Sequence, residues 1–146
     1  MSFASECIGN FAEIITKKYC RFSGRARRRE FWEYQLVVWI LTTVISLIDG
    51  ALKLQIDLPS ETDPGILSSI LGLLLLLPGL GVLVRRLHDI GKSAWWILIP
   101  ILPIIGSIWL LILECKAGDK GPNNYGPDPK EETLLDTDPG DLPDAG

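Results

Sequence analysis

Three long apolar runs, separated by short polar stretches, dominate the pattern of hydrophobic and polar positions along the chain. They cover about residues 31–52, 66–84 and 94–113, and the second and third runs contain no charged residue. A helix of about 20 residues is roughly 30 Å long, which matches the hydrocarbon thickness of a bilayer. Backbone groups in lipid must satisfy one another, so we expect each run to be helical. The pattern predicts an all-α integral membrane helical bundle with three transmembrane helices.

The third run leaves an alternative open, because it contains Pro100, Pro103 and Gly106. Proline removes a backbone donor and favours a kink or a break in a helix. A third full span would place the C-terminal tail on the side opposite the N-terminus. A re-entrant hairpin would instead return the tail to the same side. We expect the full span and keep the hairpin as the alternative.

The segment before the first run has the spacing of an amphipathic helix. Its apolar residues recur at intervals of three and four, as at Ile8, Phe11, Ile15 and Tyr19. We expect an interfacial helix that lies in the headgroup plane. Packing of the same face against the protein's own spans is an equally weighted alternative.

The chain length of 146 residues fits a single domain, and we assign it to residues 1–129. From residue 130 to residue 146 the sequence is acidic and rich in proline and aspartate, which predicts a disordered tail.

Basic residues are concentrated next to particular ends of the apolar runs. Residues 1–30 carry a net charge of +4, and the connection 85–93 contains three basic residues, whereas the connection 53–65 contains only Lys53. The positive-inside rule then places the N-terminus and the 85–93 loop in the cytoplasm. With three full spans, the C-terminus is external. A basic cluster at a bilayer surface, on a chain of net charge −4, disfavours nucleic acid as a partner.

The stretch RRLHDIGKSAWW between the second and third runs combines ionisable side chains with a glycine and two tryptophans. One interpretation is structural. Arg85 and Arg86 lie four and three residues before Asp89, so either can form an ion pair with it on one helix face, and Gly91 can end the helix. Trp95 and Trp96 then lie at the headgroup level, where indoles anchor a protein at the membrane interface.

A second interpretation is that this loop and the preceding arginine cluster form one cytoplasmic basic surface that binds anionic lipid headgroups or a membrane-protein partner. The candidate binding residues are Arg25, Arg27, Arg28, Arg29, Arg85, Arg86, His88, Asp89 and Lys92. The candidate interface anchors are Trp32, Trp95, Trp96 and Tyr125.

Other chemistry has weaker support. Glu33 and Asp49 lie near the two ends of the first run, where we expect them at the headgroup level, although an ion or proton path is the alternative. His88 and Asp89 have no serine or cysteine placed as a nucleophile, so we expect no enzymatic activity. The three cysteines are scattered, and the sequence predicts neither a metal site nor a cofactor.

Three segments, RFSGRARRREFW, RRLHDIGKSAWW and KAGDKGPNNYGPDP, resemble the hallmarks of the bacterial inner-membrane family called domain of unknown function 805 (DUF805). The resemblance covers about residues 15–129, and Ala94 and Ala117 depart from its pattern. It implies a small, multi-pass helical protein of the inner membrane. The basic surface described above, and not the resemblance, leads us to predict a non-enzymatic module that binds anionic headgroups or a membrane-protein partner, either alone or as a homo-oligomer. The alternative is a small oligomeric transporter or channel.

Overall fold

The computed structural model describes residues 2–56 and 64–136, and every regular element in these ranges is helical. The elements are α1 (Phe3–Lys17), α2 (Arg28–Leu52), α3 (Ile66–Asp89), a 3₁₀ helix (Ala94–Ile101), α4 (Ile105–Cys115) and α5 (Pro129–Asp136). The predicted all-α class is confirmed. Within these ranges the chain forms two compact units, which we describe separately.

The first unit contains α1, nearly all of α2 and most of α3, and its described residues are 2–21, 30–56 and 64–82. Cys7 and Ile14 of α1 are buried, and the ring of Phe11 stacks on Tyr34 of α2 at 5.6 Å between centroids. Asn10 Nδ2 donates to the Glu30 carbonyl at 2.9 Å. The predicted N-terminal helix is therefore present, and one face packs on the protein's own first long helix.

Two of the helices are long and apolar enough to cross a membrane, namely α2 with 25 residues and α3 with 24. Their large apolar side chains are mostly exposed: Trp39 is 76% exposed and Leu73 is 71% exposed. A helix in the core of a water-soluble domain would bury such residues. These helices coincide with the first two predicted runs and have surfaces suited to lipid.

Asp49, near the end of α2, caps the start of α3. Its carboxylate accepts hydrogen bonds from the backbone N–H groups of Leu67 at 3.0 Å and Ser68 at 2.8 Å, and from the Ser68 hydroxyl at 2.8 Å. The first N–H groups of a helix have no partner within it, and a carboxylate satisfies them well. A Cβ on Gly65 would lie only 2.0 Å from Asp49 Oδ2, so the close approach requires glycine.

The second unit comprises residues 22–29 and 83–146, of which residues 137–146 lie outside the described ranges. Here the expected third transmembrane helix is not confirmed, because the run from 94 to 113 is divided in two. The 3₁₀ helix ends at Ile101 and α4 begins at Ile105, with a turn between them that gives Ile104 a φ of 61°.

Backbone chemistry explains the division. Pro100 and Pro103 cannot donate the hydrogen bonds of a continuous helix. A Cβ on Gly106 would lie 2.0 Å from the Ile99 carbonyl oxygen, so this glycine lets the two arms of the hairpin approach closely. The 11-residue α4 is roughly 16 Å long, about half of what a hydrocarbon core needs. The apolar run is therefore a hairpin.

The hairpin packs on the last turn of α3 through a small apolar core. This core contains Leu87, Ile90, Leu110 and Leu113, with Trp96 and Ile97 packed against it.

The final element of the second unit differs from the sequence expectation. Residues 129–136 form α5, where the beginning of a disordered tail was predicted. The predicted disorder of residues 137–146 lies outside the described residues.

Candidate functional site

The centre of the second unit is a buried carboxylate held between two arginines. Asp89 Oδ1 accepts from Arg25 Nε at 3.0 Å, and Oδ2 accepts from Arg86 Nη1 at 2.6 Å. The three side chains are 6%, 1% and 0% exposed, respectively. Charge-assisted hydrogen bonds in such a dry environment are strong, and each partner would be costly to bury alone.

Arg25 uses its remaining donors on the segment that follows α4. Nη1 donates to the Gly121 carbonyl at 2.7 Å, and Nη2 donates to the Asp119 carbonyl at 2.5 Å. The backbone beside Arg25 is also fixed, because the Ala26 N–H donates to the Arg85 carbonyl at 2.9 Å. One guanidinium thus holds together three polar segments, 24–29, 85–91 and 118–129. We call this assembly the polar cluster.

Arg86 contacts the backbone at the end of α4, where the chain leaves the hairpin. Its Nε donates to the Glu114 carbonyl at 3.0 Å, and its Nη2 donates to the Lys116 carbonyl. The Asp119 N–H donates to the Asp89 carbonyl at 2.7 Å. The residues that precede the hairpin therefore contact those that follow it, so the chain enters and leaves the hairpin next to the polar cluster.

His88 is held by the first and third segments of the polar cluster. Its Nδ1 lies 3.1 Å from the Gly24 carbonyl oxygen, and its ring stacks on Tyr125 at 4.0 Å between centroids and 3° between planes. Asn123 Nδ2 donates to the His88 carbonyl at 2.8 Å. Gly24 has a φ of 88°, a conformation that favours glycine. His88 therefore contacts residues of both other segments of the polar cluster.

Asp128 organises the end of the third segment. Its side chain accepts from the N–H groups of Lys130 at 2.9 Å and Gly121 at 3.0 Å. The hydrogen bond from Lys130 is the main reason that the pKa of the Asp128 carboxyl is lowered from its usual range, with burial opposing it and the charge of Arg25 assisting. The carboxylate also caps α5, which explains why a helix begins in a stretch whose composition predicts disorder.

The lowered pKa of Asp128 predicts how stability depends on pH. Since the folded state favours the carboxylate, its contribution is complete above the unfolded pKa of about 4 and is lost as the pH falls through the folded pKa. On acidification from about pH 5 to about pH 3, we expect the melting temperature of the wild type to fall more than that of Asp128→Asn. Thermal unfolding in an uncharged detergent measures this. Parallel curves for the two proteins would contradict it.

A cleft of about 340 Å³ opens at the surface of the polar cluster. Its lining residues are Arg27, Arg28, Arg29, Asp89, Gly118, Asp119, Lys120, Asp128 and Lys130. Five of these are basic and three are acidic. Arg28, Lys120 and Lys130 are exposed, and Arg28 Nη1 donates to the Cys115 carbonyl at 3.3 Å, where α4 ends. The cleft therefore lies beside the exit of the apolar hairpin.

The structure brings the two predicted basic regions together but separates their roles. The side chains of Arg25, Arg85, Arg86, His88 and Asp89 are buried. The basic residues of the cleft wall are the rest of the arginine cluster together with Lys120 and Lys130, two lysines that were not among the predicted binding residues. The turn-rich sequence around them was the available signal. Their position in the same cleft as Arg28 depends on contacts between segments 24–29 and 118–129, which are about 90 positions apart in the sequence.

The predicted interface anchors have different surroundings. Trp95 is 78% exposed and Trp32 is also exposed. Trp96 packs on the hairpin core, and its ring lies 4.5 Å below Lys92 Nζ in a cation–π contact. Tyr125 stacks on His88 inside the polar cluster.

The two acids considered for an ion path are both buried. Asp49 uses its carboxylate to cap α3, as described above. Among residues 2–56 and 64–136, no group of three or more histidine, cysteine or acidic side chains could hold a metal ion.

Comparison with known proteins gives matches over most of the chain. The family model "Protein of unknown function (DUF805)" matches residues 19–127. Inner membrane protein YhaH of Escherichia coli (strain K12) is 44% identical over 118 residues, which are 81% of this chain and 94% of YhaH. Inner membrane protein YhaI of the same strain is 40% identical over 116 residues, 80% of this chain and 92% of YhaI. No solved structure matches the chain. The family match includes almost all of the polar cluster.

Proposed function

The chain belongs to the DUF805 family, and from this premise we propose that it is a non-enzymatic protein of the bacterial inner membrane that binds the phosphate of anionic lipid headgroups in a cytoplasmic cleft. The observation that carries the proposal is the cleft beside the hairpin exit, with five basic residues in its wall. Arginine and lysine are the side chains that bind phosphate best in proteins, arginine through two parallel hydrogen bonds and lysine as a point charge.

The proposal includes a topology with two spans and one re-entrant hairpin. Helices α2 and α3 cross the bilayer, and residues 94–113 enter and leave from the cytoplasmic side. Support comes from the contacts of Arg86 with the Glu114 and Lys116 carbonyls, which join the two ends of the hairpin. This topology replaces the expected external C-terminus. It also places Lys116, Lys120 and Lys130 on the cytoplasmic side, as the positive-inside rule prefers.

Cysteine accessibility tests the topology. In a cysteine-free background, Lys53→Cys marks the connection between the spans and Glu132→Cys marks the exposed start of the tail. With a membrane-impermeant maleimide on intact spheroplasts, we expect Lys53→Cys to be labelled and Glu132→Cys to be labelled only after permeabilisation. Labelling of Glu132→Cys in intact spheroplasts would contradict the re-entrant hairpin and restore a third full span.

A lipid is favoured over a soluble phosphate because of what surrounds the cleft. Arg28 contacts the Cys115 carbonyl, so the cleft adjoins the end of α4. On the preceding turn of α4, Leu111 and Ile112 are exposed, as acyl-chain contacts would require. A phosphate in the cleft can therefore belong to a molecule whose apolar part lies along the hairpin.

Charge reversal at the cleft tests the binding function. In purified protein in an uncharged detergent, we expect Arg28→Glu/Lys120→Glu to weaken binding of short-chain phosphatidylglycerol by at least about tenfold, or about 1.4 kcal/mol. Native mass spectrometry or tryptophan fluorescence measures the affinity. Lys17→Glu/Arg21→Glu is the matched control, since it changes the net charge equally at two residues that do not line the cleft. Equal weakening in both variants, or none in either, would contradict the proposal.

A further inference from the structure

One acid in the cleft wall differs from the other two. Both carboxylate oxygens of Asp89 and of Asp128 are occupied by donors inside the polar cluster. The side chain of Asp119 is exposed, and one oxygen accepts from Asn123 Nδ2 at 3.2 Å. Its other oxygen forms no hydrogen bond with any residue in the described part of the chain. A carboxylate with accepting capacity therefore lies among the basic residues that line the cleft.

The backbone of Asp119 is fixed although its side chain is exposed. Its N–H donates to the Asp89 carbonyl at 2.7 Å, and its own carbonyl accepts from Arg25 Nη2 at 2.5 Å. Gly91, whose added Cβ would lie 2.7 Å from Asp119 Oδ2, leaves room for the carboxylate on that side. The carboxylate is thus held on the cleft wall by the buried network, and a ligand would bear little of the cost of ordering it.

An accessible carboxylate is unfavourable for a purely anionic ligand, because like charges repel and part of the basic potential of the cleft is cancelled. It becomes favourable when the ligand also carries a cation. We propose that the cleft selects a bipolar headgroup, in which an ammonium group lies a few bonds from the phosphate, as in phosphatidylethanolamine. The exposed bases Arg28, Lys120 and Lys130 hold the phosphate, and Asp119 holds the ammonium. This inference rests on the proposed function: it keeps the phosphate site in the cleft and replaces the anionic headgroup with one that also carries an ammonium group.

The test compares two short-chain lipids that share the phosphodiester and differ in the ammonium group. Phosphatidylethanolamine and phosphatidylglycerol are titrated separately into the full chain in an uncharged detergent. We expect Asp119→Asn to weaken phosphatidylethanolamine binding by about tenfold. Phosphatidylglycerol binding should be unchanged or tighter in the same variant, and Asp119→Glu should retain the wild-type preference. Soluble glycerophosphoethanolamine should bind much more weakly than the lipid.

Each other result overturns a defined part of the inference. If Asp119→Asn binds phosphatidylethanolamine as the wild type does, or more tightly, Asp119 does not contact an ammonium group. If both lipids lose affinity equally, Asp119 has a structural role. Equal affinity for the soluble headgroup would remove the lipid from the proposal. If the wild type binds neither lipid, the proposed function itself fails, whereas phosphatidylglycerol binding that depends on Arg28 and Lys120 would preserve it.

Discussion

Replacement of Asp89 by asparagine is expected to destabilise the protein by about 3–5 kcal/mol, the usual cost of removing one partner from a buried ion pair. Arg25 and Arg86 would both lose the carboxylate that neutralises them, and both guanidinium groups are buried. An asparagine amide would also direct a donor at one of two groups that are themselves donors. The expected result is a large fall in the unfolding free energy in mild detergent and a low yield of protein in the membrane.

Glu132→Gln is a suitable control for this experiment, because it removes one negative charge from an exposed position on α5. We expect it to change the unfolding free energy by less than about 0.5 kcal/mol. If Asp89→Asn unfolds at the same denaturant concentration as the wild type, the arginines do not depend on this carboxylate, and Asp89 does not stabilise the polar cluster.

The second large effect is expected for Gly118→Ala. A Cβ at this position would lie 2.1 Å from Asp89 Oδ2 and 2.7 Å from Asp89 Cγ, distances that require the carboxylate or the backbone to move. Overpacking of this kind typically costs about 1–3 kcal/mol. Here the displaced group is also the acceptor for two buried arginines, so we expect a loss at the upper end of that range. Chemical unfolding in detergent measures it.

Gly9→Ala provides the contrast, because a Cβ there meets nothing within 4 Å and Gly9 lies inside α1. Alanine in a helix interior is favoured over glycine by roughly 0.8–1.0 kcal/mol, so this variant should be slightly more stable than the wild type. A stability of Gly118→Ala equal to that of Gly9→Ala would mean that the third segment does not approach Asp89 as closely as the structure has it.

Hydropathy predicted the first two long helices well, because a continuous apolar surface of bilayer length requires little else. It failed for the third run because composition does not report backbone geometry. Pro100 and Pro103 remove donors from the middle of the run, and Gly106 permits an approach that other residues would block. The two prolines indicated in the sequence that the helix could be interrupted here. The choice between a kinked span and a hairpin depended on contacts with residues outside the run.

The sequence predicted where the polar cluster lies but not which residues contact one another within it. Basic residues near the ends of spans indicated one shared surface for residues 25–29 and 85–92. The burial of Arg25 and Arg86 depends on carbonyl groups between residues 114 and 121, and the identity of a side chain does not reveal the partner of a backbone carbonyl. Asp49 was similarly placed at a helix end, but its role as a cap depends on Ser68, which is 19 residues away.

The span of sequence joined by Arg25 has a consequence for biosynthesis. Its carbonyl acceptors at Asp119 and Gly121 lie 94 and 96 positions further along the chain. Both long helices are therefore translated, and available for insertion, before these acceptors leave the ribosome. In the proposed topology, with a cytoplasmic N-terminus, the guanidinium can remain hydrated at the cytoplasmic surface until then, and its charge would favour that orientation. In that topology, Arg25 would contribute to orientation early in translation and would hold the polar cluster together once residues 119 and 121 have been made.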